Sequence, residues 1–181
     1  YAPGTPEREE LREEIDRLKN QEIEIPAIIG GKEVKTDRQQ DVVMPHNHGH
    51  KLGTVHLCGE EEVEMAIESA LEARKEWAEM PWQDRAAIYL KAADLITGPY
   101  RYTMNASTML GQSKTPHQSE IEAVGEFADF LRFNAYYLQE IYKDQPYSPD
   151  GMWNRMEYRP LEGFVFAVTP FNFTAIAGNL P

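Results

Sequence analysis

The residue best suited to chemistry is Asn172, whose side-chain amide stands between Phe171 and Phe173 and follows Thr169 and Pro170. An apolar, strand-like run precedes this stretch, and a segment able to begin a helix follows it. Proteins of alternating strands and helices bind ligands where strand ends meet helix starts. An asparagine amide at such a point can donate a hydrogen bond to an oxyanion that develops in acyl chemistry. The alternative, which the local sequence favours, is that Asn172 is an N-cap at a turn.

Glu126 is a second candidate for binding because it lies within an otherwise apolar stretch of a predicted long helix. Its neighbours Phe127 and Phe130 place its carboxylate at the border of an apolar face. A carboxylate in such a place is stabilised by a nearby cation. That cation is either a charged group of a ligand or a basic side chain such as Lys114 or Arg132. The spacing leaves both alternatives open.

Three alternating histidines form the densest cluster of titratable residues. On a strand, His46, His48 and His50 would share one side and offer a set of zinc or copper ligands. Asn47 and Gly49 favour a surface loop instead, and no second group of ligands with fixed spacing is present. We therefore expect no metal site.

Cys58 is the only cysteine, so no disulfide can form within the chain and a reducing compartment is expected. A nucleophilic cysteine needs a lowered pKa, which a helix N-terminus or a basic neighbour supplies. Cys58 is followed after one residue by Glu60, Glu61 and Glu62, whose charges disfavour the thiolate. The sequence predicts an unreactive thiol.

The composition limits the class of protein. Hydrophobic residues make up 41% and charged residues 27% of the 181 residues, which is the balance of a folded globular protein. No apolar run reaches the roughly 20 residues that a membrane span requires. The 18 basic and 30 acidic residues give a net charge of −12, which repels nucleic acid phosphates. A small-molecule substrate is expected, and neither a nucleic acid nor a membrane as partner.

The apolar pattern predicts an α/β order: a small β region, four helices, then strands again. A charged helix begins at Pro6, and strands over residues 25–29 and 32–35 flank a Gly-Gly turn. The last of the four helices begins at Pro116 and is apolar on so much of its surface that we expect it to be buried between other elements. Residues 152–158 and 163–168 have the composition of strands. Because the chain becomes more apolar towards its end, an N-terminal fragment of a larger fold is expected.

The sequence from Thr169 to Phe173 resembles the aldehyde dehydrogenase superfamily, whose members carry proline, an aromatic residue, asparagine and phenylalanine at this point. Residues 161–180 are similar, more narrowly, to its pyrroline-carboxylate group. Trp77 with residues 82–96 is similar to the superfamily's early helices, and residues 129–135 to the long helix of that group. The resemblance covers residues 24–181, and the acidic residues 1–20 resemble the N-terminal extension of the group.

The fold that this resemblance implies is the N-terminal part of an aldehyde dehydrogenase, with a β-hairpin region, a helical layer and the first strands of a Rossmann-like NAD domain. Residues 1–23 would form an acidic helical arm and residues 24–149 the first part of the NAD-binding domain. Residues 150–160 would form a strand of the oligomerisation region, and residues 161–181 the start of the NAD-binding sheet. A homo-oligomer is therefore expected, cytoplasmic in a bacterium and in the mitochondrial matrix in a eukaryote.

The reaction that the resemblance implies is the NAD-dependent oxidation of L-glutamate γ-semialdehyde to L-glutamate in proline catabolism. A cysteine thiolate adds to the aldehyde, a hydride leaves the resulting oxyanion for NAD, and water releases the acid. Asn172 would be the catalytic donor to the oxyanion. Glu126 would face the substrate α-ammonium, and Phe173 would pack on the aliphatic part of the substrate. Three residues would lie along NAD: Thr169, Pro170 and Phe171.

The chain departs from the family in one respect, because the nucleophilic cysteine and the general-base glutamate have no counterpart in it. Cys58 does not lie in the corresponding motif, so the chain alone is expected to be inactive. Two other interpretations stay open. One is an aldehyde dehydrogenase of other specificity, against which Glu126 and Phe173 argue, and the other is a non-catalytic structural protein on the same scaffold.

Overall fold

A computed structural model of the chain describes residues 1–179. Its strands are β1 (Ile23–Ile25), β2 (Ala27–Ile29), β3 (Lys32–Val34), β4 (Gln39–Met44) and β5 (Asn47–His56). Its α-helices are α1 (Pro6–Lys19), α2 (Glu60–Glu79), α3 (Trp82–Thr97), α4 (Arg101–Gln112), α5 (Pro116–Ser119) and α6 (Glu126–Lys143). A π-helical turn, Glu120–Gly125, joins α5 to α6, and a 3-10 turn covers Ile176–Asn179. None of the described helices is long and apolar enough to cross a membrane.

The strands form two small sheets. β5 is the central strand of the first sheet, parallel to β1 and antiparallel to β4. β2 and β3 form the predicted hairpin, and Gly30 and Gly31 adopt φ angles of 58° and 74° in its turn, which glycine tolerates without strain. The strand predicted over residues 25–29 is confirmed for Ala27–Ile29, whereas Ile25 belongs to β1. Pro26 has no backbone N–H to donate, and it separates β1 from β2, which belong to different sheets.

The helical core lies between α3 and α6. Ala93 and Ala128 are fully buried at this contact, and Leu131 packs beside them. Small side chains at the crossing allow two helices to approach closely. α1 lies on α4, buries Leu11, and accepts a hydrogen bond on Glu14 from the Thr103 hydroxyl at 2.6 Å. The acidic arm therefore packs onto the helical layer.

The long helix predicted from Pro116 is present but is interrupted. Thr115 and Gln118 cap α5, since the Thr115 Oγ1 accepts from the backbone N of Gln118 at 3.3 Å and the Gln118 side chain accepts from the backbone N of Thr115 at 3.0 Å. The π-helical turn Glu120–Gly125 then widens the helix before α6 begins. Such turns are rare, and they occur frequently at functional sites.

The strands predicted over residues 152–158 and 163–168 are not formed. Residues 151–170 contain no strand, and every residue from 150 to 172 is exposed. A strand satisfies its backbone groups only through a neighbouring strand, and the described residues provide none here. The expectation that the long helix is buried between other elements is also wrong for α6, since Phe133, Tyr137 and Ile141 are each more than half exposed.

Candidate functional site

The turn that carries Asn172 is attached to the C-terminal end of α4. The Gln112 Nε2 donates to the carbonyl oxygen of Phe171 at 3.2 Å. The hydroxyls of Thr108 and Thr174 lie 2.6 Å apart, and Thr108 is buried in α4. Because these contacts use backbone atoms or flanking residues, the side chain of Asn172 is left free.

Lys114 supplies a further contact to the same turn. α4 ends at Gln112, and Ser113 adopts a left-handed conformation with φ 56°, which redirects the chain before Lys114. The Lys114 ammonium donates to the carbonyl oxygen of Asn172 and to the carboxylate of Glu122. Its Nζ also lies 5.0 Å from the centre of the Phe173 ring. Lys114 therefore joins the Asn172 turn to the π-helical turn.

The Asn172 side chain is exposed and makes no hydrogen bond within residues 1–179. The next helical segment, the 3-10 turn, begins four residues later at Ile176. The N-cap interpretation is therefore wrong for the described residues, although the predicted turn is present. An amide with both N–H groups free can donate to a developing oxyanion.

Thr169, Pro170 and Phe171 precede this amide and are exposed. Phe171 is 97% exposed, so none of the described residues covers its ring. An aromatic ring and a hydroxyl group are side chains that can contact a nicotinamide ring and a ribose hydroxyl, and both are exposed here. These residues are therefore compatible with the nicotinamide end of NAD.

Glu126 is the first residue of α6, and its carboxylate is exposed. The sequence places this carboxylate at the border of an apolar face, but Glu126 and its neighbour Phe130 are both exposed in the structure. Neither basic neighbour pairs with it: Lys114 binds Glu122, and Arg132 lies 3.4 Å from Asp94. Within residues 1–179, Glu126 has no ionic partner, and the structure shows no contact between it and the Asn172 turn.

A partly buried polar network holds the N-terminal end of the π-helical turn. The Glu120 carboxylate accepts from Arg101 Nε at 2.9 Å, from Tyr1 OH at 2.5 Å and from Asn105 Nδ2 at 2.6 Å. Burial acts to raise the pKa of Glu120, but the hydrogen bonds from Arg101, Tyr1 and Asn105 outweigh it and hold the pKa below its ordinary value. Burial, assisted by Glu120, raises the pKa of Tyr1. The network ties α4 and the start of the chain to the turn that carries Glu122.

The histidines do not meet at one site. His46 lies in the turn before β5 with its Nδ1 2.7 Å from the Ser113 hydroxyl, whereas His50 in β5 donates to the carbonyl of Lys19 at 2.7 Å. The loop predicted at His48 and His50 is wrong, since β5 includes both residues. No group of three potential metal ligands occurs among the described residues. Cys58 is exposed.

Lys114 thus joins the turn of Asn172 and Phe173 to Glu122, whereas Glu126 makes no hydrogen bond or ion pair to that turn within the described residues. Sequence reasoning missed the residues that hold the turn, Thr108, Gln112 and the pair of Lys114 with Glu122. Thr108, Gln112 and Lys114 lie 66, 59 and 58 positions from their partners in the turn, so no local pattern identifies them.

Comparison with known proteins agrees with the sequence resemblance. A Delta-1-pyrroline-5-carboxylate dehydrogenase of Agaricus bisporus is 54% identical over 183 residues, and a mitochondrial protein of that name from Homo sapiens is 48% identical over 180 residues. The alignments cover 100% and 99% of this chain but 34% and 32% of the relatives. The chain therefore spans about a third of the length of these relatives.

A solved structure is similar over the same extent. The crystal structure of the Delta-pyrroline-5-carboxylate dehydrogenase from Mycobacterium tuberculosis bound with NAD matches with a TM-score of 0.96 and 49% identity, covering 100% of this chain and 34% of that one. The sequence profile of the aldehyde dehydrogenase family matches residues 33–178, from β3 to the turn beyond Asn172. Because that match includes most of the helical layer and the candidate site, the chain belongs to the aldehyde dehydrogenase family.

Proposed function

We propose that this chain is the N-terminal third of an NAD-dependent enzyme that oxidises L-glutamate γ-semialdehyde, the open form of Δ1-pyrroline-5-carboxylate, to L-glutamate in proline catabolism. The observation that carries the proposal is the similarity, over the whole chain, to pyrroline-carboxylate dehydrogenases, one of them solved with NAD. The missing two-thirds would supply the nucleophile and the general base.

Asn172 is the oxyanion donor in this proposal. Its carbonyl oxygen accepts from Lys114 and that of Phe171 accepts from Gln112 of α4, while its side-chain amide is free. A preorganised donor stabilises charge where it develops and needs no reorganisation during the reaction. The free amide on a tethered turn supports this role.

Thr169, Pro170 and Phe171 would bind NAD on the side of the nicotinamide and its ribose. NAD supplies the acceptor for the hydride. The contribution of the chain is to present the Phe171 ring as an apolar surface and the Thr169 hydroxyl as a hydrogen-bonding group. Their exposure supports the role because nothing among the described residues occupies that face.

Glu126 and Phe173 would select the substrate. Phe173 would pack on the aliphatic chain, and Glu126 would bind the α-ammonium. The carboxylate of Glu126 is not engaged by Lys114 or Arg132, so it remains available to a cation of the substrate. That availability, rather than desolvation, supports the assignment.

The organisation of the complete enzyme is proposed on the same basis. Residues 1–23 would be the helical arm and residues 24–149 and 161–181 parts of the NAD-binding domain, while residues 150–160 would pair with another subunit in a homo-oligomer. The exposed Trp153, at 79%, supports a contact there. A eukaryotic enzyme would be in the mitochondrial matrix and a bacterial one in the cytoplasm; the name of the human relative gives that protein as mitochondrial.

The test compares the semialdehyde with an uncharged aldehyde of similar length as substrates of the complete enzyme. Glu126→Gln removes the charge and keeps the shape, so kcat/KM for the semialdehyde should fall about 10–100-fold, while that for the uncharged aldehyde stays nearly constant. Asp129→Asn, exposed one turn further along α6, is the matched control. Equal losses for both substrates would refute the role of Glu126, and an inactive wild-type enzyme would refute the function.

A further inference from the structure

The most connected side chain of the candidate site is Lys114. An ammonium group has three N–H donors. In Lys114 one is directed to the carboxylate of Glu122 and one to the carbonyl oxygen of Asn172, and the Nζ lies 5.0 Å from the Phe173 ring centre. All three partners belong either to the Asn172 turn or to the π-helical turn.

The pair of Lys114 and Glu122 is largely shielded from water. Their side chains are 16% and 25% exposed. Shielding strengthens the interaction of the charges, and it makes the loss of either partner costly to the other. An unpaired ammonium would still be drawn to the carbonyl oxygen, but its direction would no longer be fixed by the carboxylate.

The carboxylate of Glu122 is itself anchored. It lies in the π-helical turn, where Ala123 and Val124 are buried and where Glu120 is bound by Arg101 and Asn105. A continuous set of contacts therefore runs from the π-helical turn through Glu122 and Lys114 to the backbone of Asn172.

We propose that Lys114, held by Glu122, is a positioning residue that sets the orientation of the Asn172 amide and the Phe173 ring; this inference rests on the proposed function. Lys114 donates a hydrogen bond to the backbone carbonyl of Asn172. It therefore acts through the turn and does not contact the reacting atoms. A displacement of about 1 Å in a catalytic group can lower a rate by as much as 10²-fold.

A double-mutant cycle in the complete enzyme separates positioning from general damage. Lys114→Met should lower kcat for the semialdehyde by about 10–100-fold with the Kd for NAD unchanged, and Lys114→Arg should restore most of the loss. In an Asn172→Ala background, Lys114→Met should change kcat less than about 2-fold, because the group that it positions is absent. An equal loss in both backgrounds would overturn the proposal.

A second readout does not depend on the substrate. Amide hydrogen exchange of the peptide covering residues 169–175 should accelerate by about tenfold in Lys114→Met and remain unchanged in Lys75→Met, a control at an exposed lysine paired only with Glu72 in the described residues. Unchanged exchange in Lys114→Met would overturn the proposal even in an active enzyme. A wild-type enzyme inactive on the semialdehyde would contradict the proposed function, and the exchange result would still decide whether Lys114 holds the turn.

Discussion

Two regions of the chain are both rich in apolar residues, but only one of them is buried among the described residues. In the helical layer, Ala93 and Ala128 are fully buried at the contact of α3 and α6. In residues 150–172, Phe166 is 82% and Phe171 is 97% exposed. A helix satisfies its own backbone and needs only a packing surface, whereas a strand needs a partner strand for its hydrogen bonds.

The difference matters because the candidate site spans both regions. Lys114 and Glu122 belong to the packed layer, and Asn172 lies at the end of the exposed segment. The chain thus builds the support for the turn from its own residues, while the segment that leads into the turn is uncovered. Substitutions in the two regions should therefore have different consequences.

The largest expected effect is a loss of activity when Asn172, at the end of the exposed segment, is replaced. Asn172→Ala in the complete enzyme should lower kcat for the semialdehyde by about 10²–10³-fold, the typical loss for one oxyanion donor. Binding of NAD should be unchanged. Asn134→Ala, at an exposed position of α6, is the matched control, and both variants are compared by steady-state kinetics and by titration with NAD. Weakened NAD binding with normal turnover would reduce Asn172 to a structural residue.

The second prediction concerns stability, and here a substitution in the helical layer should have a larger effect than one in the exposed segment. Ala93→Leu inserts bulk into the closed contact of α3 and α6 and should destabilise the helices by about 1–3 kcal/mol. Ala167→Leu makes the same change at an exposed position and should stay within about 0.5 kcal/mol. Urea titration of the chain, followed by the circular dichroism of its helices, measures both. Similar losses for the two variants would mean that the segment is packed in solution.

The smallest effect concerns pH. The pKa of Glu120 is lower in the folded state than in the unfolded chain, where it is about 4.3. The ionised Glu120 therefore contributes to stability at pH values above this unfolded pKa. That contribution is lost as the pH falls through the lower folded value. As the pH is lowered below about 4, the urea concentration at the unfolding midpoint of the chain should decrease, and it should decrease less steeply in Glu120→Gln. Glu64→Gln, exposed on α2, should keep the wild-type slope. Parallel slopes in all three proteins would show that the Glu120 network does not form.

The helices and the hairpin were predictable from the sequence because their signals are local. Pro6 and Pro116 mark helix starts, and Gly30 with Gly31 marks the turn. The proposed role of Asn172 came from the family resemblance, and the structure supplied the free amide. The Lys114 contacts were not predictable, since they depend on tertiary packing. The strands predicted over residues 152–158 and 163–168 have the right composition but no partner among the described residues.

Residues 150–168 are exposed and have no partner strand among the described residues, so we expect them to become ordered only in the complete enzyme, whereas the turn at Asn172 is already held by Gln112 and Lys114. Amide hydrogen exchange of residues 150–168, compared between the chain of residues 1–181 and the complete enzyme, measures this difference directly. We expect exchange near the unprotected rate in the chain and strong protection in the complete enzyme, with α4 protected in both. Protection of residues 150–168 in the isolated chain, or its absence in the complete enzyme, would contradict this expectation.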